Sequence, residues 1–254
     1  MTVKREASES HVRYRLIDTL RGISLLSMLT FHFCYDVFVI CNGDASWARQ
    51  PGVVAWERTI CVSFILIAGI SFHFSRRNVW RGLLLNACGL LITLVTAVAA
   101  PDKIIFFGIL NGIGCSVLLT QAARPLLDKL NPFAGGVLAL TLFALFYGLP
   151  ERYLGCFGVR WITLPEWLYA FRPLAVIGLP DNAFFSSDYF PVVPWLFLYW
   201  CGFFAWRIVQ RLHAGHFFLR GVPLLEKIGQ VSLWVYMLHQ PLLMGICYVF
   251  FMPR

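Results

Sequence analysis

Seven apolar stretches divide this chain, at approximately 16–40, 53–74, 80–99, 104–122, 133–149, 191–210 and 229–251. Several of them reach the ~20 residues needed to cross a bilayer, and no soluble core of this length needs so many. Short clusters of Lys, Arg, Pro, Gly and Asp separate them. The chain therefore reads as an all-α, polytopic transmembrane helical bundle of about seven spans, a single integral membrane domain over residues 1–254 whose residues 1–15 form a short N-terminal segment. With 59% hydrophobic and 13% charged residues, composition excludes an ordinary soluble domain. The sequence carries no internal repeat and no low-complexity tract.

The stretch 150–190 departs from this pattern. It is rich in Trp, Tyr, Pro and Gly, and its longest apolar piece, Trp167 to Leu179, is interrupted by Arg172 and Pro173. It reads as an outer-face cap with an interfacial helix rather than as an eighth span. The first span carries polar residues along its length and lacks a small-residue cleavage site, which argues against a removable signal peptide. Basic residues fall in four groups: Lys4, Arg5, Arg13 and Arg15; Arg76, Arg77 and Arg81; Arg124 and Lys129; Arg207, Arg211, Arg220 and Lys227. If the spans alternate, all four lie on one side, which places the N-terminus in the cytoplasm and the C-terminus outside. Much of the net charge of +8 is this bias, so it does not signal nucleic-acid binding.

Six of the eight cysteines, Cys34, Cys61, Cys88, Cys115, Cys201 and Cys247, fall within expected spans, where a thiol packs as a small apolar group. None forms a CxxC pair. Cys41 and Cys156 both lie in external segments, where a bridge is compatible with the compartment but not fixed by the sequence.

The polar residues that a membrane should exclude carry the functional information. Asp18, Arg21, His32 and Asp36 lie on the first span within a sector of about 60°, over a rise of roughly 27 Å, as on a helix that lines a tunnel. Asp18 with Arg21 is equally an ion pair at a helix end. His32 with Asp36 four residues on is either a buried structural pair or an imidazole held by a carboxylate as a general base. On the last span Ser232, Tyr236, His239 and Gln240 share one face, and Pro241 leaves the Met237 carbonyl without its usual partner, predicting a kink. There the alternative is hydrogen-bonding glue between helices. Asn111, within Gly108-Ile-Leu-Asn-Gly112-Ile-Gly114, reads as part of close helix packing, and Asp188, ahead of Tyr189-Phe-Pro191, as interfacial anchoring. His73, beside Arg76 and Arg77, reads as an interfacial or lipid-contacting side chain.

Arg15-Leu-Ile-Asp18-Thr-Leu-Arg21-Gly22, followed by Phe31-His32-Phe-Cys-Tyr35-Asp36, resembles the opening of the heparan-α-glucosaminide N-acetyltransferase catalytic-domain family in its bacterial branch. Gly69-Ile-Ser71, Gly108-Ile-Leu-Asn111, Asp188-Tyr189-Phe-Pro191 and Tyr236-Met-Leu-His239-Gln240-Pro241 follow in the family's order. The resemblance implies a multi-pass transmembrane acyltransferase of the bacterial inner membrane. It would take an acyl group, acetyl first, from acyl-CoA at the cytoplasmic side and pass it to a sugar, a cell-envelope glycan or another acceptor outside. Asp18 and Arg21 match the family's residues at the CoA end, and Gln240, Tyr236, Asn111 and Asp188 are the candidate substrate contacts. In eukaryotic members the proposed catalytic His stands just before Ala-Ser-Trp. Here Asp44 precedes Ala45-Ser46-Trp47, so the base must be His32, His239 or Asp44. His32 is favoured, with Asp36 orienting it, because it stands about 16 Å beyond Arg21, roughly the reach of a pantetheine arm.

A thioester is already activated, so such chemistry needs positioning, a proton acceptor and exclusion of water, and no metal. The expected partners are the lipid bilayer, acyl-CoA and the acceptor, with a homodimer left open. A transporter or permease, or a non-catalytic membrane assembly protein, remains the alternative, since intramembrane charges and a Pro-broken helix serve those roles too.

Overall fold

The structure, a computed structural model, describes residues 13–251. Lys4 and Arg5 of the N-terminal basic group lie outside them. The long helices are α1 (Arg15–Tyr35), α3 (Pro51–Ile70), α4 (Asn78–Ala99), α5 (Ile109–Leu127), α6 (Pro132–Phe146), α7 (Val192–Arg211) and α9 (Ser232–Phe250). Two short ones, α2 (Ala45–Ala48) and α8 (Pro223–Gln230), complete the helical framework. Six segments are long and apolar enough to cross a membrane: Arg15–Cys41, Pro51–Phe74, Asn78–Ala99, Pro132–Glu151, Val192–Arg211 and Ser232–Phe250. The expected count of about seven also includes α5, which is less apolar and whose first half buries residues all round, among them Leu110, Asn111, Gly112 and Val117. A helical turn surrounded by protein needs no lipid-facing surface.

The core lies between α3, α5, α6 and α7, where Ile65, Val117, Phe143, Tyr199 and Phe203 are buried together. The end of the bundle where α1 begins, α3 finishes and α4 starts carries Arg13, Arg21, Arg76 and Arg81 around one opening, and is called the basic end below. Arg207 belongs to the next helix pair and donates to the Leu127 and Asp128 carbonyls at 2.7 and 3.0 Å, which satisfies the last turn of α5.

Three expectations are corrected. First, α5 begins at Ile109 rather than near residue 104. The preceding backbone pairs instead with the loop before α7, Ser187 N–H to the Ile104 carbonyl at 2.9 Å and Phe190 N–H to the Phe107 carbonyl at 3.0 Å. Second, the cap contains no interfacial α-helix. It is an antiparallel hairpin, β1 (Tyr153–Cys156) with β2 (Val159–Thr163), followed by 3₁₀ turns at Glu166–Tyr169 and Arg172–Ile177. Pro165 and Pro173 each open a turn, and the Tyr169 hydroxyl pins the first to the Leu149 carbonyl at 2.6 Å. Third, the helix of the last apolar stretch begins at Ser232 rather than near residue 229, because the backbone leaves the helical path at Val231, after α8. From there α9 runs on as one helix through Pro241. All eight cysteines are free, Cys41 and Cys156 included.

α8 explains the placement of the first span. Its backbone presses on α1 where both partners are glycine: a Cβ on Gly22 would meet the Leu225 carbonyl oxygen at 2.1 Å, and one on Gly229 the Asp18 carbonyl oxygen at 2.0 Å. Arg15 adds a 2.9 Å ion pair to the buried Glu226 of α8. The turn bearing Asp18 and Arg21 is thus fixed from behind.

Candidate active site

A cavity of about 1150 Å³ opens at the basic end. Arg13, Arg21, Arg76 and Arg81 stand at its mouth with Asp18 as the carboxylate among them, a net of three positive charges. Asp18 sits in the first turn of α1, where a carboxylate complements the helix dipole. It accepts from Arg13 at 3.0 and 2.8 Å on one oxygen and from Arg21 at 2.8 Å on the other. The second terminal nitrogen of Arg21 donates to the Ser71 hydroxyl at 2.7 Å. The guanidinium plane is therefore locked, and its remaining N–H groups are the ones left to meet an anion. Sequence reasoning found Asp18 and Arg21 but missed the role of Ser71, whose one signal was its place in Gly69-Ile-Ser71. It also missed that His73 lines this cavity, with Nε2 3.0 Å from the Phe203 carbonyl.

Past the mouth the walls are apolar, with Phe64, Ala68, Leu85 and Ile113 among the lining, and the inner end carries Ser232 and Tyr236 of α9. From α1 the lining takes Ile17, Asp18 and Arg21. His32 and Asp36 stand outside this lining, so along α1 the cavity borders only the part of the expected polar stripe that carries Asp18 and Arg21.

Beyond the inner end, α1 and α9 bring four expected residues together. The His32 and His239 rings lie 4.7 Å apart between centroids. Asp36, fully buried, accepts from the Gln240 amide nitrogen at 2.9 and 3.1 Å on its two oxygens. The expected pairing of Asp36 with His32 is thus replaced by one with Gln240. The cause is the partner on α9: the Asp36 N–H keeps its α-helical bond to the His32 carbonyl, and both side chains face α9, where Gln240 presents its amide donor to Asp36 and His239 its ring to His32. Nδ1 of His239 lies against the Tyr236 carbonyl. A carbonyl only accepts, so the ring N–H is on Nδ1 and Nε2 holds the lone pair. That Nε2 is buried and has no partner among the described residues, and the same is true of Oε1 of Gln240. Both unfilled positions are acceptors, next to a carboxylate that accepts as well. Such acceptors can take a hydrogen bond from a group that brings its own hydrogen.

The other candidates are placed elsewhere. Asp44 caps α2, accepting from the Ser46 N–H at 3.0 Å and from its hydroxyl. The Ser46 hydroxyl and N–H hold its carboxyl below the usual carboxylate range, which makes it a weak base. Asn111 donates to the backbone carbonyl of Asn86 at 3.3 Å and to its side-chain oxygen at 3.4 Å within the α4–α5 contact, and does not line the cavity. Asp188, in the loop before α7, accepts from the Ile109 N–H at 3.3 Å and so caps the start of α5. Burial pushes its carboxyl up to about 6; the Ile109 bond opposes this and the nearby Glu57 adds to it. Among the described residues no group of three or more His, Cys, Asp or Glu is arranged to hold a metal ion.

Residues 13–241 match the family model described as "Heparan-alpha-glucosaminide N-acetyltransferase, catalytic". Comparison with curated proteins and with solved structures gives no match.

Proposed function

Because the chain belongs to the heparan-alpha-glucosaminide N-acetyltransferase catalytic family, whose members are transmembrane acetyltransferases, we propose that it transfers an acyl group from acyl-CoA, bound at the basic end, to an acceptor that reaches the His32–His239 cluster from the opposite side. The basic end is the cytoplasmic one in this reading, in accord with the distribution of arginine and lysine, and the membrane is the inner membrane of a bacterium. The acceptor is a sugar or another envelope molecule with a free hydroxyl or amine.

The observation that carries the reading is the state of His239. Its Nε2 lone pair is free and shielded from water, one turn along α9 from Tyr236 at the inner end of the cavity. The depth argument favoured His32; the fixed tautomer favours His239 as the base, with His32 beside it. The acceptor's N–H or O–H gives its proton to Nε2 as the nitrogen or oxygen attacks the thioester carbonyl. The C–S bond then breaks, and the thiolate leaves and takes up the proton. Arg21, oriented by Asp18 and Ser71, holds a CoA phosphate, and the other arginines at the mouth raise the local concentration of the anion.

The test is turnover by the purified protein, read as free CoA thiol released from acetyl-CoA in the presence of amino sugars and simple polyols. His239→Ala is expected to lose transfer by ~10²–10⁴-fold at an unchanged melting temperature. Absence of any acyl-CoA turnover by the wild type would favour the permease reading.

A further inference from the structure

The donor cavity lacks a wall on one side. α4 packs along α5 and forms no packed interface with α1 or α9 among the described residues. Its free face, with Leu83, Leu90, Leu91, Leu94 and Val98, is 50 to 79% exposed, as befits a helix in lipid. α9 is equally bare on its outer side, where Trp234 is 71% exposed and Leu242 64%. Between the two helices the cavity is lined by Leu84 and Leu85 of α4 and by Leu233 and Tyr236 of α9, with Ile109 and Ile113 behind. This apolar cleft continues into the mouth that carries Arg21 and Arg81.

A cationic mouth joined to an apolar cleft open to hydrocarbon matches an amphiphile: an anionic head at the membrane surface and a chain directed into the bilayer. We infer that the cleft between α4 and α9 binds the hydrocarbon chain of the donor, so that the protein accepts acyl-CoA thioesters with chains longer than acetyl. This rests on the acyl-CoA reading above and adds to it the class of acyl group. A two-carbon acyl group leaves the Leu84, Leu85 and Leu233 surface uncovered. Each further methylene that it buries contributes up to about fourfold in affinity. Lateral opening also removes any fixed limit on chain length, because a chain that outgrows the cleft passes into lipid of the same polarity.

The experiment is a calorimetric titration of the protein, in nanodiscs of phosphatidylcholine, with CoA, acetyl-CoA, butyryl-CoA and octanoyl-CoA. The proteins compared are the wild type and Leu84→Trp, which fills the cleft without touching the arginines. Octanoyl-CoA is expected to bind at least about tenfold more tightly than acetyl-CoA to the wild type. In Leu84→Trp that gain should disappear while affinity for CoA itself persists, which also reports that the variant is folded. Should Leu84→Trp fail to bind CoA, Ile113→Phe narrows the same cleft from α5 and replaces it in the comparison. Equal affinity for acetyl-CoA and octanoyl-CoA overturns the inference. So does a gain that survives the narrowing substitutions, since that is partition into the bilayer. If CoA does not bind the wild type at all, the acyl-CoA reading falls first and takes this inference with it.

Discussion

Asp18 and Asp36 belong to the same helical segment, and the protein treats the two carboxylates in opposite ways. Asp18, at the basic end, is bonded by two arginines and borders the mouth of the cavity. Asp36 is fully buried and bonded by a neutral amide, with the unpartnered acceptors of His239 and Gln240 close by. Charges that are matched at the mouth of a cavity leave an arginine's remaining N–H groups to meet a ligand's charge. Acceptors that are buried and unmatched are maintained against their desolvation penalty, and a protein that keeps them has a use for a hydrogen donor there. In the proposed function, the difference separates a region that holds the donor from one that handles protons.

Four substitutions test that separation. The largest stability effect is expected at Asp188, a third carboxylate, whose folded-state value of about 6 lies above its ordinary 3.8. A raised carboxyl favours the folded state when protonated. Its contribution is present below about pH 4 and is lost as pH rises through 6, a change of about 3 kcal/mol. Melting of the detergent-solubilised protein between pH 4 and 7 should show that slope, and Asp188→Asn should flatten it. Gln240→Leu comes next. It strips Asp36 of its hydrogen-bond donor and should lower stability by about 2 kcal/mol, measured by thermal unfolding. A smaller effect would mean that Asp36 has another partner and that the contrast between the two carboxylates is overdrawn. Arg207→Leu removes the donors at the last turn of α5 and should cost about 1–2 kcal/mol by the same measurement, with CoA affinity kept. The smallest effect belongs to Arg13→Ala, an exposed partner of Asp18, at about 0.5 kcal/mol or less.

The bundle was legible in the sequence because a helix that must satisfy its backbone in lipid announces itself as an apolar run, and α1, α3, α4, α6, α7 and α9 all do. The start of α5 was not legible. Ile104 to Phe107 are as apolar as a helix, and their pairing with residues 187–190 is a long-range event that no local pattern records. The hairpin at 153–163 was hidden for a related reason: in a cap, Trp and Tyr mark an interface whatever the backbone does. In the site, spacing gave the faces of α1 and α9 but not their partners. An i,i+4 relation pointed Asp36 at His32, and the Gln240 amide that it meets instead lies 204 residues away on α9, where no local pattern reaches. The Tyr236 carbonyl that fixes the His239 tautomer lies three residues away on the same helix, yet its contact depends on a side-chain rotamer that sequence spacing does not specify.

The central claim is that donor binding and proton handling reside in different places, at Arg21 and at His239. Measuring CoA affinity and acyl-transfer rate side by side for Arg21→Ala and His239→Ala tests it most directly. Arg21→Ala should weaken CoA binding by about tenfold or more and recover most of its rate at saturating donor. His239→Ala should keep wild-type CoA affinity and lose the rate at every donor concentration. A His239→Ala protein that turns over at the wild-type rate once saturated with acyl-CoA would contradict the account.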